Sequence, residues 1–319
     1  MDYAAEERKI ISEFGYRKMN KWIITRREFL KSSALAGISA TTLAGCQQMF
    51  GTKTNLRFGM VTDSHYADTN MRDNRYYRES TDKMRECVDL MNEQKVDFLI
   101  ELGDFKDQDE PAVEERTISH LRTIEKVFQE FNNPKYHVLG NHDMDSISKE
   151  QFLANIKNTK IPVQSNYYSF DNKGIHFIVL DANFLADDTP YDHGNFIWNN
   201  TYIPQAQLSW LTDDLAKTKL PSIVFCHQQL GGKGGTYVRN SQEVRNIFQQ
   251  SGKVLAAFNG HEHNGGYTSI EGIHYYTLKA VVDGSGSENN SYAIVEVLPD
   301  NNIIVTGYRK AISKDFSQS

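Results

Sequence analysis

Asp63-Ser64-His65, Gly103-Asp104, Gly140-Asn141-His142-Asp143, His227 and Gly260-His261-Glu262-His263 are five short patches spread over about two hundred residues of this chain. Together they offer carboxylate oxygen, imidazole nitrogen and amide oxygen. That donor set suits Mn, Fe or Zn better than the all-oxygen cages preferred by Ca and Mg. Seven of the groups, Asp63, His65, Asp104, Asn141, His227, His261 and His263, are enough to hold two ions.

Residues so far apart in sequence need a rigid frame to meet. The first half of the chain alternates short apolar runs with helical spacing: a strand at 56–61, a helix at 77–94 with Met84, Val88 and Met91 on one stripe, and a strand at 96–102. A second helix at 114–131 carries Ile118, Leu121, Ile124, Val127 and Phe128 on one face, and a strand follows at 136–139. Strand-helix-strand order favours a layered α/β architecture. The second half turns toward hairpins. Strands at 166–170 and 175–180 flank Asp171-Asn172-Lys173-Gly174, whose polar residues and glycine suit a tight turn.

A helix at 205–217, a strand at 222–226, a helix at 242–250 and a strand at 254–258 come next. Four further strands, at 267–270, 273–278, 292–298 and 303–308, read as a meander. The expected fold is one α/β domain, a two-sheet sandwich with helices outside. Each of the five patches falls where a predicted strand ends, and ligands of open α/β sheets collect at the carboxyl ends of strands. Gly103, Gly140 and Gly260 stand immediately before ligand candidates, where the chain must turn out of a strand and let backbone approach the ions.

The N-terminal segment reads as an export signal. Thr25-Arg26-Arg27-Glu28-Phe29-Leu30-Lys31 carries paired arginines, and Ser32 to Gly45 is small and mildly apolar but too short to span a bilayer. Leu43-Ala44-Gly45-Cys46 resembles a bacterial lipoprotein box, in which cleavage precedes the cysteine and its sulfur carries lipid. The polar leader from Met1 to Trp22 suits neither signal and makes Met19 a candidate start. The expected organisation is an export signal over 1–45, a tether over 46–54, one domain over 55–310 and a polar tail over 311–319. The expected location is periplasmic, with the twin-arginine machinery as export partner and a membrane reached through lipid on Cys46.

Residues 1–45 hold eight basic and five acidic residues, so the mature chain is more negative than the full-length charge of −6. An acidic surface argues against nucleic acid as a non-specific partner and leaves bound metal to attract an anionic substrate. Cys87 and Cys226, the remaining cysteines, fall on a predicted helix and a predicted buried strand, and are expected as separate thiols.

The ordered set Asp-x-His, Gly-Asp-x-x-Asp, Gly-Asn-His-Asp, a lone His and Gly-His-x-His is similar to that of the calcineurin-like metallophosphoesterase superfamily. The resemblance implies a four-layer sandwich of two mixed β-sheets flanked by helices. It implies a first metal held by Asp63, His65 and His263, a second by Asn141, His227 and His261, and Asp104 bridging both. Two divalent ions, Mn foremost with Fe or Zn as alternatives, would then activate a bridging hydroxide for in-line attack on a phosphorus ester. In this resemblance His142 is no ligand but faces the leaving oxygen, with Asp143 orienting its ring. Asp107 completes Gly-Asp-x-x-Asp as a support, or caps the helix that follows.

Flanking residues resemble the manganese-dependent ADP-ribose/CDP-alcohol diphosphatase branch: Phe58-Gly59, Tyr66-Ala67-Asp68, Arg75-Tyr76-Tyr77-Arg78-Glu79-Ser80, and the run from His261 through Tyr267 to His274. The chain departs from that branch at His65, where Gln is usual. Arg75 and Arg78 are candidates for a second phosphate. Gly231-Gly232-Lys233-Gly234-Gly235 could offer backbone N–H groups and one cation. The insertion from Asp181 to Pro204 carries Phe184, Tyr191, His193, Phe196, Trp198 and Tyr202, some of which could stack on a base or sugar. The expected activity is a phosphodiesterase or pyrophosphatase on small nucleotide-like diphosphates. Alternatives are a broad-specificity exported phosphomonoesterase and a non-catalytic surface lipoprotein that keeps the fold.

Overall fold

The computed structural model describes residues 56–318 apart from Lys233, so the expected export signal, lipoprotein box and tether lie outside the described residues. Among the described residues, twelve strands form two six-stranded mixed sheets. In the first, β1 (Leu56–Val61), β2 (Phe98–Glu101) and β3 (Lys135–His137) run parallel. β10 (Ser291–Val297) pairs antiparallel with β1, β11 (Ile303–Arg309) antiparallel with β10, and the two-residue β12 (Lys314–Asp315) lies at that edge. The second sheet has order β4-β5-β6-β7-β9-β8. Its parallel centre is β5 (Ile175–Leu180), β6 (Ser222–Cys226), β7 (Val254–Asn259) and β9 (Ile273–Thr277). β4 (Tyr168–Asn172) and β8 (Gly266–Ile270) pair antiparallel at its two edges.

Period-two alternation sorts the strands' side chains into layers. Phe58, Met60, Phe98, Ile100, Phe177, Val179, Phe225 and Phe258 meet between the sheets. Their rings interlock, with Phe58 stacked on Phe98 at 4.9 Å and edge-on to Phe177 at 5.7 Å, the offset and T-shaped arrangements that aromatic quadrupoles favour. The opposite faces take the helices. α1 (Ser80–Gln94), α2 (Glu114–Phe128) and α3 (Lys149–Asn155) cover the first sheet through Met84, Val88, Leu121 and Phe152. α4 (Gln205–Lys217) and α5 (Ser241–Ser251) cover the second through Leu208, Leu211, Val244 and Phe248. This is the expected four-layer sandwich.

Local chemistry explains several boundaries. β4 and β5 form a hairpin whose register ends at Asn172–Ile175, leaving Lys173 and Gly174 as a two-residue turn. Both have positive φ, 46° and 85°, as the type I′ turn requires. α3, which the hydrophobic pattern did not announce, begins with a reciprocal capping box between Ser148 and Gln151.

Two expectations are corrected. The last four long strands are not one meander: β8 and β9 belong to the second sheet, β10 and β11 to the first. Nor are residues 311–319 only a polar tail. Lys314–Asp315 add a strand, and Phe316 is buried in the intersheet core 4.6 Å from the ring of His274. Cys87 and Cys226 are both buried and unbridged.

Candidate metal centre

All five patches converge at the carboxyl ends of the strands. Asp63 and His65 follow β1, Asp104 follows β2, and Asn141 and His142 follow β3, whereas His227 follows β6 and His261 and His263 follow β7. The site therefore draws on both sheets. Backbone hydrogen bonds knit the loops together: Asp63 N to Gly103 O at 3.0 Å, His65 N to Asp104 O at 2.9 Å, and Gly260 N to His227 O at 3.0 Å.

Four of the seven residues sit in the left-handed region, Asp63 at φ 52°, His65 at 44°, Asp104 at 53° and His261 at 68°. Such conformations cost L-residues on the order of 1 kcal/mol or more each and persist where surrounding contacts impose them. The preceding glycines allow the close approach. A Cβ on Gly103 would lie 2.6 Å from Nδ1 of His227, and one on Gly140 would lie 2.1 Å from the Asp104 backbone nitrogen.

The donor atoms fall into overlapping groups, Asp63–His65–His263, His65–Asp104–His142 and Asp104–His227–His261, each with its ligand atoms within 4.8 Å of one another. Asp63 Oδ1 lies 3.8 Å from His65 Nε2 and 3.6 Å from His263 Nε2. Asp104 Oδ2 lies 3.5 Å from His65 Nε2 and 3.2 Å from His227 Nε2, between the two halves of the cluster. Nε2 of His65, His227 and His261 and Oδ1 of Asn141 are buried without a hydrogen-bond partner. Orphaned buried acceptors are costly unless something binds them, and imidazole nitrogen with amide and carboxylate oxygen is a donor set for divalent Mn, Fe or Zn. The residues present therefore fit two metal ions.

Two of the rings have their opposite nitrogens held. His227 Nδ1 lies 2.8 Å from the Leu102 carbonyl and His263 Nδ1 2.9 Å from Asp283, while His65 Nδ1, 3.3 Å from Asp107, makes no hydrogen bond. Such partners fix tautomer and ring direction. Charge is divided unevenly among the rings. Burial lowers His261, helped by the neighbouring His227, to about 3, so this ring stays neutral. Burial also disfavours protonated His227, but Asp104 and Asp63 more than offset it and raise its pKa to about 10 among the protein's own groups.

His142 projects into a cleft of about 760 Å³ and is a quarter exposed, unlike fully buried His65 and His227. Its backbone N–H donates to Asp104 Oδ1 at 2.8 Å. Burial works against its charge, yet Asp107 and Asp104 raise its pKa to about 9. The carboxylate beside its ring is not the expected one. Asp143, fully buried, accepts from the backbone nitrogens of Gly140 at 2.7 Å, Phe105 at 2.9 Å and Asp104 at 3.2 Å. It braces the ligand loops, and Asp107 Oδ1 lies 3.5 Å from His142 Nδ1 in its place. Asp107 also does not cap a helix: the residue preceding α2 is Val113.

The two candidate arginines part company. Arg75 lines the cleft together with Arg72, 3.8 Å from Asp107. Arg78 is bound to Asp68 at 2.5 Å and Asn70 at 3.0 Å, outside the cleft wall, because the turn of Tyr77–Glu79 carries it to the other side of the chain. Among the aromatic residues of the insertion, Tyr191 is buried in the core and Phe184 lies under Lys149 at 4.0 Å. Phe196 and Trp198 alone of that set line the cleft, 5.7 Å from the His142 ring and 6.2 Å from the His261 ring. Asp283, which sequence reasoning missed, stands in no motif and twenty residues beyond the ring it holds. Lys106, equally unsignalled, is buried, pairs with Asp145 and donates to the His142 carbonyl at 2.7 Å.

Residues 56–265 match the family described as calcineurin-like phosphoesterase. A manganese-dependent ADP-ribose/CDP-alcohol diphosphatase from Oryza sativa is 27% identical over 294 residues, covering 78% of this chain and 90% of that protein. The human protein of the same name is 22% identical, covering 76% and 87%. Among solved structures, a dimetal phosphatase from Danio rerio superposes with a TM-score of 0.70 at 20% identity, over 82% of this chain and 98% of that one. A purple acid phosphatase from yellow lupin superposes with a TM-score of 0.60 at 13% identity, over 82% and 53%. The structural likenesses show a shared fold.

Proposed function

The chain belongs to the calcineurin-like phosphoesterase family of metal-dependent hydrolases, and from that premise we propose that it cleaves phosphoanhydride or phosphodiester bonds in small nucleotide-like diphosphates. The observation that carries the reading is Asp104. Its carboxylate stands between a group of Asp63, His65 and His263 and a group of His227 and His261, with the orphaned Asn141 oxygen alongside. The first three would hold one ion, the others a second, and Asp104 both. Two divalent ions bound there, Mn foremost, supply Lewis-acid polarisation of phosphoryl oxygens and stabilise charge in an in-line displacement.

The chain's own groups do the rest. With Nδ1 of His142 turned to Asp107, Nε2 is the nitrogen left to give a proton to the leaving oxygen, and a ring held protonated by two carboxylates is equipped for it. Arg72 and Arg75 put two cations on the cleft wall, where a second phosphate of a diphosphate would need them. Phe196 and Trp198 offer flat apolar faces on the cleft wall, against which a base could stack. The names of the relatives support a diphosphate carrying a nucleoside.

Two measurements test the reading. Asp104→Ala and His261→Ala should each remove metal and turnover together; full metal content in both variants would overturn the site assignment. With Mn-loaded protein, ADP-ribose, CDP-choline and bis-p-nitrophenyl phosphate should be cleaved in preference to p-nitrophenyl phosphate. Phosphate released chiefly from the monoester would establish the phosphomonoesterase reading instead.

Export is the second part of the proposal, supported by Arg26-Arg27 and by Leu43-Ala44-Gly45-Cys46 in the sequence. Mass spectrometry of the mature N-terminus should find lipid on Cys46. An intact chain upstream of Cys46 in the cell envelope fraction would rule this out.

A further inference from the structure

The apolar run of β2 ends on a carboxylate. Strand alternation puts Glu101 on the helix-covered face with Leu99, where packing alone would favour another apolar side chain, and it is fully buried there. His137 stands beside it in register on β3. The ring's Nδ1 lies 3.5 Å from Glu101 Oε2, and its Nε2 lies 3.1 Å from Glu125 Oε2 on α2. Phe105 and Phe128 close over this triad, their rings 5.0 Å and 4.7 Å from that of His137. Burial pushes the Glu101 carboxyl up to about 7, even though His137 and the Gly103 N–H pull it down. Ionisable groups kept in such surroundings are costly, and they concentrate at functional sites.

The contacts of Glu101 supply a reason for that cost. Its Oε1 accepts the Gly103 N–H at 2.7 Å. That N–H shares one rigid peptide plane with the Leu102 carbonyl, which faces His227 Nδ1 at 2.8 Å. Carboxylate and imidazole are therefore joined through a single planar unit. The following peptide has partners of its own: the Gly103 carbonyl accepts from Asp63 N at 3.0 Å, and Asp104 N donates to Asp143 at 3.2 Å. Glu101 thus bears on one ligand ring in particular. A charged acceptor at the N–H end fixes the plane and strengthens the carbonyl at the other end, which holds His227 with Nε2 free for an ion.

We propose that Glu101 is a positioning residue for the second ion site, acting on His227 through the Leu102–Gly103 peptide. The inference rests on the two-ion reading above.

The test counts ions instead of turnover. Full-length protein loaded with Mn is titrated with a chelator, the Mn retained per chain is read by elemental analysis, and EPR separates coupled Mn pairs from isolated Mn. Glu101→Gln keeps the shape and an acceptor but loses the charge, whereas Glu101→Leu loses both. Glu125→Gln disturbs the same buried triad without touching the peptide, so it serves as the control for stability. Affinity for the second ion should weaken about ten- to a hundredfold in Glu101→Leu and less in Glu101→Gln. The first ion should stay within about twofold of wild type, leaving the EPR signal of isolated Mn at intermediate chelator. Glu125→Gln should retain both ions even where its melting temperature falls.

Parallel loss of both ions in Glu101→Leu, or second-ion affinity within about twofold of wild type, would overturn the assignment and leave the functional reading standing. Matching loss of the second ion in Glu125→Gln would also overturn it, by reducing the triad to a matter of stability. Should Glu101→Leu fail to fold, Glu101→Gln decides: weakening of the second ion by about threefold or more sustains the assignment, and less defeats it. Wild-type protein that binds a single Mn per chain would overturn the two-ion reading and this inference with it.

Discussion

The metal centre and the surroundings of His176 are built from the same residue types at opposite ends of the sandwich, and they differ in what their nitrogens face. At His176, near the start of β5, Nδ1 meets Asp171 of β4 at 2.6 Å and Nε2 meets Asp214 of α4 at 2.9 Å. Both nitrogens are occupied, and the ring clasps a strand, a hairpin and a helix. At the metal centre His227 and His263 each have one nitrogen turned to a protein acceptor and the other toward the ligand atoms around them. One nitrogen held and one left over distinguishes a ligand from a clasp.

Perturbing the two regions should therefore have opposite signatures. The largest effect is expected for Asp104→Ala, which removes the carboxylate proposed to be common to both ion positions: turnover should drop at least about a thousandfold, with metal lost. His142→Ala should cost roughly a hundredfold to ten-thousandfold in kcat while metal content, read by elemental analysis, stays at the wild-type level. Loss of metal in that variant would move His142 into the ligand set and blur the comparison. Asp283→Ala frees the outer nitrogen of His263, so metal affinity should weaken by about ten- to a hundredfold, measurable by competition with a chelator.

The smallest effect belongs to the clasp. Burial opposes protonation of His176, but Asp214 and Asp171 outweigh it and hold its folded pKa above the unfolded value. Its stabilisation is thus complete below about pH 6.5 and is lost as pH rises through the raised pKa. Wild-type protein should lose more of its melting temperature than His176→Gln between about pH 6 and about pH 9. Metal content should be equal in the two. Parallel melting curves across that range would show that the clasp carries no charge.

The contrast also explains what could be read from the chain alone. The ligand patches were legible because each follows directly, or through a glycine or short turn, on a strand's apolar run, and that coupling is local. Lys173-Gly174 fixed the β4–β5 hairpin for the same reason. What depends on distant partners was not legible. Nothing near Asp283 says that it will meet His263, and nothing in Asp107 or Asp143 says which of them reaches the His142 ring. The choice of sheet for β10 and β11 hangs on pairing with β1, more than two hundred residues earlier, so four successive strands looked like one meander. Phe316 sits among polar neighbours in sequence, and only the closed sandwich shows the gap it fills.

The ring layer between the sheets has a consequence beyond cohesion. The proposed ion positions take Asp63, His65, Asp104 and Asn141 from one sheet and His227, His261 and His263 from the other, so the separation of the sheets is a dimension of the active centre. Phe58, Phe98, Phe177, Phe225 and Phe258 act as a gauge block: their thickness sets how far apart the two jaws of the cluster stand. A close-packed interior transmits a change of thickness instead of absorbing it. Trimming Phe177 to leucine, on the strand beside β6, would therefore alter the tolerance of a metal site it does not touch, and that buried layer belongs to the calibration of the catalyst as much as to its scaffold.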